Sequence, residues 1–231
     1  MALAGLGAIT IWQDARADAR ADFLEWHNRE HIPERVGISG FLRGRRWMAL
    51  KGAPEFFTLY ETTEPQVHTS AGYLERLNNP SPWTRRIAPS MENNIRSLCR
   101  VAYSAGSGQG GLLVTLRYDV APESEDVQLR LVTGQMLPEL GGMPGVTGTH
   151  LCLADKAASF IQTEEKKSRP QRALVPTWVI LVEGAADSAS LVAACGDTLR
   201  DDVLAAAGAT GISRGLYQLQ YSRSAASGAI G

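Results

Sequence analysis

His31-Ile-Pro-Glu-Arg-Val-Gly-Ile-Ser-Gly40 and Met136-Leu-Pro-Glu-Leu-Gly-Gly-Met-Pro-Gly145 read as two versions of one segment. At a constant offset of 105 residues Pro33 meets Pro138, Glu34 meets Glu139, Gly37 meets Gly142 and Gly40 meets Gly145. The same offset carries back without a gap, so that Thr10 meets Thr115 and Asp14 meets Asp119. These six matches fall on turn residues and strand ends, and they indicate an internal duplication.

Working outward, each copy gives the same order of elements. Ala8–Asp14 is a short β-rich run, and Asp18 to about Ile32 has helical spacing, with Phe23, Leu24, His27 and His31 on one face. Pro33 and the Gly37–Gly40 stretch are expected to end that helix. Phe41–Leu50 and Glu55–Thr62 read as strands around the turn Gly52-Ala53-Pro54. Gln66–Leu77 reads as a helix, a proline-broken segment runs through Pro89, and Ile95–Tyr103 reads as a fourth strand. The order is β-α-β-β-α-β, the ferredoxin-like pattern. Residues 1–105 form the first unit, 106–110 a Gly/Ser linker and 111–223 the second unit. The second repeats the order over Leu112–Val120, Ser124–Leu140, Val146–Ala154, Leu174–Glu183, Asp187–Ala207 and Leu216–Ser222. It carries a polar insert, about Lys156–Arg172, read as a surface loop or short helix, and a Ser/Ala/Gly tail after Arg223 read as frayed.

One such unit covers only one sheet face with its helices. Ile9 and Ile11 alternate with Thr10 and Trp12, and Phe57 and Leu59 alternate with Thr58 and Tyr60. The first member of each set suits the helices, and the second, half polar, suits a cavity or a sheet-to-sheet interface. The expected fold class is α+β: two tandem ferredoxin-like units closing into one pseudo-dimeric α/β barrel, with a pocket inside.

Composition bounds the function. Of 231 residues, 44% are hydrophobic and 20% charged, as in a globular protein with a real core, and the formal net charge of -1 argues against a nucleic-acid partner. Cys99, Cys152 and Cys195 are far apart and form no CxxC pair, which argues against a disulfide framework or a cysteine zinc site and fits a reducing cytoplasm. Met1–Ile11 is apolar but lacks the basic flank of a signal peptide, and no apolar run approaches the ~20 residues of a membrane span.

Glu25-Trp-His-Asn-Arg-Glu-His-Ile-Pro-Glu34, followed by Gly37-Ile-Ser-Gly-Phe-Leu-Arg-Gly-Arg-Arg-Trp47, resembles the dimeric α/β-barrel superfamily, and more narrowly its EthD-like members. The sequence departs from that pattern at Ser39, where proline is usual, and has Met136 at the place of His31. The resemblance therefore implies a site in the first half only. The superfamily includes cofactor-free quinone-forming monooxygenases, polyketide cyclases and dehydratases, muconolactone isomerases and haem enzymes such as chlorite dismutases, and fold alone does not choose among them.

The candidate residues follow. His27 and His31, four apart on a helix, could relay a proton or share a metal; a metal would need a third ligand, and Glu30 and Glu34 share the face poorly. The plain alternative is that one histidine favours the helix C-terminus while the other packs. Tyr60 could donate to a ligand oxyanion and Trp12 could wall a pocket, or both could be interface packing. Arg43 and Arg45 share a face with Trp47 while Arg46 points away; an inward arginine could hold a carboxylate, or all three could be solvated edge charges. Arg45 is matched by His150 in the repeat, and His68 is expected to be exposed. His150 lies on a strand, which argues against a haem ligand; Gly106–Gly111 precedes a strand and lacks Lys-Ser/Thr, so it is no phosphate loop. The expected function is a cofactor-free and metal-free enzyme, a lyase, isomerase, cyclase or monooxygenase acting on an activated carbonyl or aromatic small molecule. His27, His31 and Tyr60 would be catalytic, and Trp12, Arg45 and Trp47 would bind substrate. The alternatives are a non-catalytic binding protein of the same fold and a haem or metal enzyme, and homo-oligomerisation of the pseudo-dimeric chain stays open.

Overall fold

The alternating runs become eight strands whose hydrogen-bonding order closes on itself. The computed structural model describes residues 3–170 and 173–226; the end of the expected frayed tail and two residues of the insert lie outside the described residues. The first unit contains β1 (Gly7–Ala15), α1 (Arg20–Trp26), α2 (Ile32–Val36), β2 (Phe41–Lys51), β3 (Phe56–Thr62), α3 (Ala71–Asn78), α4 (Pro82–Ile87) and β4 (Met91–Gly106). The second contains β5 (Leu112–Val120), α5 (Glu125–Leu131), α6 (Leu137–Gly141), β6 (Val146–Ala154), α7 (Lys156–Phe160), α8 (Glu164–Lys167), β7 (Trp178–Gly184), α9 (Ser188–Thr198), α10 (Asp201–Ala206) and β8 (Ala209–Ser224). The barrel order is β1-β3-β2-β8-β5-β7-β6-β4. Each unit thus keeps the ferredoxin-like order, and the antiparallel pairs β2·β8 and β4·β6 join them. Closure removes every sheet edge. Among the described residues no helix is long and apolar enough to cross a membrane.

Pro33 does not end the first helix. A proline ring collides with the carbonyl four residues back, here that of Arg29. The chain widens into a π-helical turn over His27–His31, closed by the Ile32 N–H bonding to the His27 carbonyl, and then continues as α2. The repeat does the same before Pro138, with a π turn over Val132–Met136.

The barrel interior is filled. Trp12 and Phe57 meet with ring centroids 4.7 Å apart, Trp47 and Phe57 at 5.5 Å, and Phe57 and Tyr217 at 5.9 Å. Leu59, Leu113, Val179 and Leu181 complete this layer. The pocket expected inside the barrel is therefore occupied by the side chains that were to line it. The expected facing of the third strand is also reversed. Antiparallel pairing sets Trp12 opposite Phe57 and Ile9 opposite Tyr60, and directly opposed residues share a face. Phe57 and Leu59 point inward; Tyr60 joins Ile9 and Ile11 on the helix side.

Beside the aromatic layer lies a buried ionic cluster. Arg45, 0% exposed, places Nη1 and Nη2 2.9 and 2.8 Å from the two Glu183 carboxylate oxygens, and its Nε is 3.2 Å from Glu61. Arg43 grips Glu61 through two bonds of 2.7 Å. Glu61 is paired with Ala8 as Glu183 is with Leu113, so the two carboxylates occupy equivalent places in the two halves. The Ala4 and Gly110 amides donate to Glu61 and Glu183 at 2.7 and 3.2 Å. The edge-strand reading of Arg43 and Arg45 is thus corrected: closure leaves β2 no edge. Two guanidiniums balance two carboxylates, so removing one partner leaves uncompensated buried charge. Arg45→Ala should cost about 3–5 kcal/mol in urea unfolding; a loss under about 1 kcal/mol would show that the cluster carries no such weight.

Candidate functional site

The site grows from the π turn. The π turn holds the His27 and His31 rings 5.6 Å apart between centroids, with Trp26 tilted 4.2 Å from His31 and Phe23 stacked 5.1 Å from His27. Arg46, which leaves the sheet on its helix side, places Nη1 3.2 Å from His27 Nδ1. Arginine can only donate, so Nδ1 of His27 accepts and the ring carries its proton on Nε2. His27 is thereby committed behind the site. His31 instead faces a cavity of about 430 Å³ between the helices and the outer face of β1, β3 and β4.

Tyr60 reaches the same cavity from the sheet. Gly44, its cross-strand partner on β2, makes room for it: a Cβ there would lie 2.9 Å from the Tyr60 ring and from Ile32. Two groups on the cavity wall, His31 Nδ1 and the Tyr60 hydroxyl, are buried without a hydrogen-bond partner. Ile11, Tyr73 and Leu77 supply apolar surface, and Arg35, Arg96, Arg169 and Glu165 supply charge.

Glu165 comes from the other half of the chain. The insert between β6 and β7 was expected as a surface loop or short helix; it forms α7 and α8 and folds across onto the first unit. Ser159 Oγ accepts from the Leu98 amide at 3.0 Å, Leu174 bridges to Ile95, and Glu165 pairs with both Arg35 and, at 3.0 Å, Arg169. The insert thus roofs the cavity.

Burial and charge set the protonation states. Burial first, then the Arg35 and Arg169 guanidiniums, hold the His31 pKa well below the usual imidazole value. His27 is lowered in the same way by burial, His31 and Arg46. Burial raises the Tyr60 phenol above its ordinary value, so it stays protonated. Burial pushes Glu165 toward neutrality, but Arg35 and Arg169 outweigh it and keep the carboxylate ionised.

The equivalent place in the second unit is closed. Met136 stands for His31, Leu140 for Arg35, Leu116 for Ile11 and Val182 for Tyr60, and all four belong to one packed apolar core. Among the described residues the second unit therefore has no counterpart of this cavity.

Of the residues singled out in the sequence, His31 and Tyr60 meet at the cavity and His27 backs it. Trp12, Arg45 and Trp47 lie inside the barrel and do not line it. His68 is buried rather than exposed, its Nε2 2.9 Å from Thr62 Oγ1. Arg35, Arg96, Glu165 and Arg169 were not foreseen. The available signal was length: where the first unit turns with Gly52-Ala53-Pro54, the second spends more than twenty residues, and long inserts carry function more often than short turns. Among the described residues no group of three or more His, Cys, Asp or Glu side chains converges to hold a metal.

No family model matches the chain and no curated protein matches it in sequence. Solved structures do. An anthrone oxidase-like protein superposes with a TM-score of 0.69 over 96% of this chain and 94% of its own, at 12% identity. The chain has the fold of the dimeric α+β barrel proteins. A monooxygenase-named protein of Fusobacterium nucleatum superposes with a TM-score of 0.60 at 10% identity, covering 96% of each chain. One from Lactobacillus acidophilus gives 0.57 at 8% identity, covering 95% of this chain and 96% of its own. At such identities the likeness extends to the fold.

All four histidines of the chain are buried. Burial lowers His68 and His150 to about 3, and His27 and His31 also fall well below the ordinary value. Each therefore binds its proton more readily in the unfolded chain, and the folded state loses stability as pH falls below about 6.5. The expected loss is up to about 1.4 kcal/mol per pH unit for each histidine. Urea midpoints measured between pH 7.5 and 5 should fall accordingly; a flat profile would contradict the neutral buried state.

Proposed function

We propose that the chain is a small-molecule enzyme that takes a proton from an enolisable or phenolic substrate in the first-unit cavity and holds the resulting oxyanion. The observation that carries this reading is the pair of buried, unpartnered groups, His31 Nδ1 and the Tyr60 hydroxyl, facing one cavity. Leaving a buried polar group unsatisfied costs about 1–3 kcal/mol, so two of them on the wall of one cavity point to a ligand that satisfies both.

The roles follow from the protonation states. His31 is neutral at pH 7 and offers a lone pair to the acidic proton. The imidazolium it becomes is disfavoured in the empty cavity by burial and by the nearby guanidiniums. The substrate anion formed in the same step supplies the missing counter-charge, so the proton transfer and the ion pair support each other. Tyr60, protonated, donates to the oxyanion. His27 acts as a positioning residue: its ring is held by Arg46 and stacks beside His31.

Proton removal opens lyase, isomerase and cyclase chemistry as well as attack of the carbanion on dioxygen. Oxygenation is favoured here, because neighbours of this fold carry the names anthrone oxidase-like and monooxygenase. For anthrone the balanced reaction consumes one dioxygen and yields anthraquinone and water. The narrower placement among EthD-like proteins rests on the Glu25–Trp47 stretch.

Anthraquinone formation followed by absorbance tests the reading. His31→Ala should lower kcat/KM by about 10²–10⁴-fold, with a melting temperature within a few degrees of the parent. Tyr60→Phe should lower it by about 10–10³-fold while stability holds or rises, since an unsatisfied hydroxyl is removed. The acid limb of kcat/KM should lie below pH 6.5. Unchanged turnover in both variants, or an acid limb above pH 7, would overturn the assignment.

A further inference from the structure

We propose that the substrate of this cavity is an aromatic molecule bearing a carboxylate, which Arg96 and Arg169 hold. The inference rests on the first-unit cavity being the substrate site and adds the chemistry of its ligand.

Charge balance is the first ground. Two buried guanidiniums, from Arg35 and Arg96, and a partly buried one, from Arg169, surround one buried carboxylate, that of Glu165. Arg35 and Arg169 share it, and Arg35 also reaches Glu34 at 3.2 Å. Arg96, 7% exposed, donates from Nη2 to the neutral Tyr73 hydroxyl at 2.8 Å. Among the described residues no carboxylate oxygen lies within 4.0 Å of it. Arg169 Nε is buried with no partner. A buried cation without a counter-charge is costly, and a cation that lines a cavity gains its partner when an anion binds there. The planar guanidinium fork matches a carboxylate.

Spacing is the second ground. Ile11 on β1 is paired with Arg96 on β4, and Ile9, two residues along, with Tyr60 on β3. Arg96 and Tyr60 thus stand two strand spacings across and two residues along, about 12 Å between their backbones, which a carboxylated two-ring system and its hydrogen bonds can span. Ile11 and the Tyr73 ring provide apolar surface over that span. A carboxylate on Arg96 therefore leaves the far ring edge toward Tyr60.

The test compares 2-naphthoate with 2-naphthamide, which has the same ring without the charge, by calorimetry and thermal shift on the full chain. The acid should bind about 10- to 100-fold more tightly, the range of a charge-assisted hydrogen-bonded pair. Arg96→Gln should abolish that preference and Arg96→Lys should restore part of it. His31→Ala should keep the preference whatever it does to turnover, so that failure of the chemistry and failure of anion recognition are read separately. If Arg96→Gln does not fold, the ratio of the two ligands' thermal shifts on the parent protein decides. Equal affinities for acid and amide, a preference that survives in folded Arg96→Gln, or displacement of 2-naphthoate by equimolar inorganic phosphate would overturn the proposal.

Discussion

The molecule depends on Arg45, a single guanidinium that bonds to a carboxylate from each half of the chain inside a closed barrel. Glu61 and Glu183 are repeats of one position, and the charge between them has no second copy, since His150 stands where the partner arginine would be. Burial holds His150 neutral, so the charges of Arg43 and Arg45 offset those of the two glutamates. Such a cluster has little tolerance for change, because any lost member leaves a charge in an apolar surrounding. The lumen is therefore given over to holding the halves together, and the first-unit cavity lies on the outer face of the sheet.

This division explains which parts of the sequence could be read unaided. The duplication was legible because Pro33, Gly37 and Gly40 recur at turns, where backbone geometry limits the choice of residue. Gly40 and Gly145 both have positive φ, 89° and 80°, where side chains are strained. His31 stood out because it lies four residues after His27 on a helix, and Met136 at its repeat position confined the expected site to the first half. The facing of Tyr60 was not legible, since alternation gives two sets of residues without saying which set faces the helices. Only the pairing with Ile9 decides it. Nor could the sequence tell a lined lumen from a filled one: Trp12 and Trp47 are suited to either, and the choice rests on whether Phe57 and Tyr217 occupy the space between them.

The insert was the least legible part. Glu164, Lys166 and Lys167 surround Glu165 with solvated charge, and nothing local separates Glu165 from them. What distinguishes it is Arg35, 130 residues away. Nothing local marks Arg35 either, which follows Glu34 at the end of α2. Long-range pairs of this kind define the cavity walls, whereas short-range turn chemistry defines the barrel.

The crossing of the insert also fixes an order of events during synthesis. The cavity floor, Ile11, Tyr60 and Arg96, and its wall at His31 are complete in the chain well before Glu165 emerges from the ribosome. Until then Arg35 and Arg96 have been made without the carboxylate that will sit beside them. The enclosed cavity comes into being only when the second half has been made and has laid its own segment over its sister's.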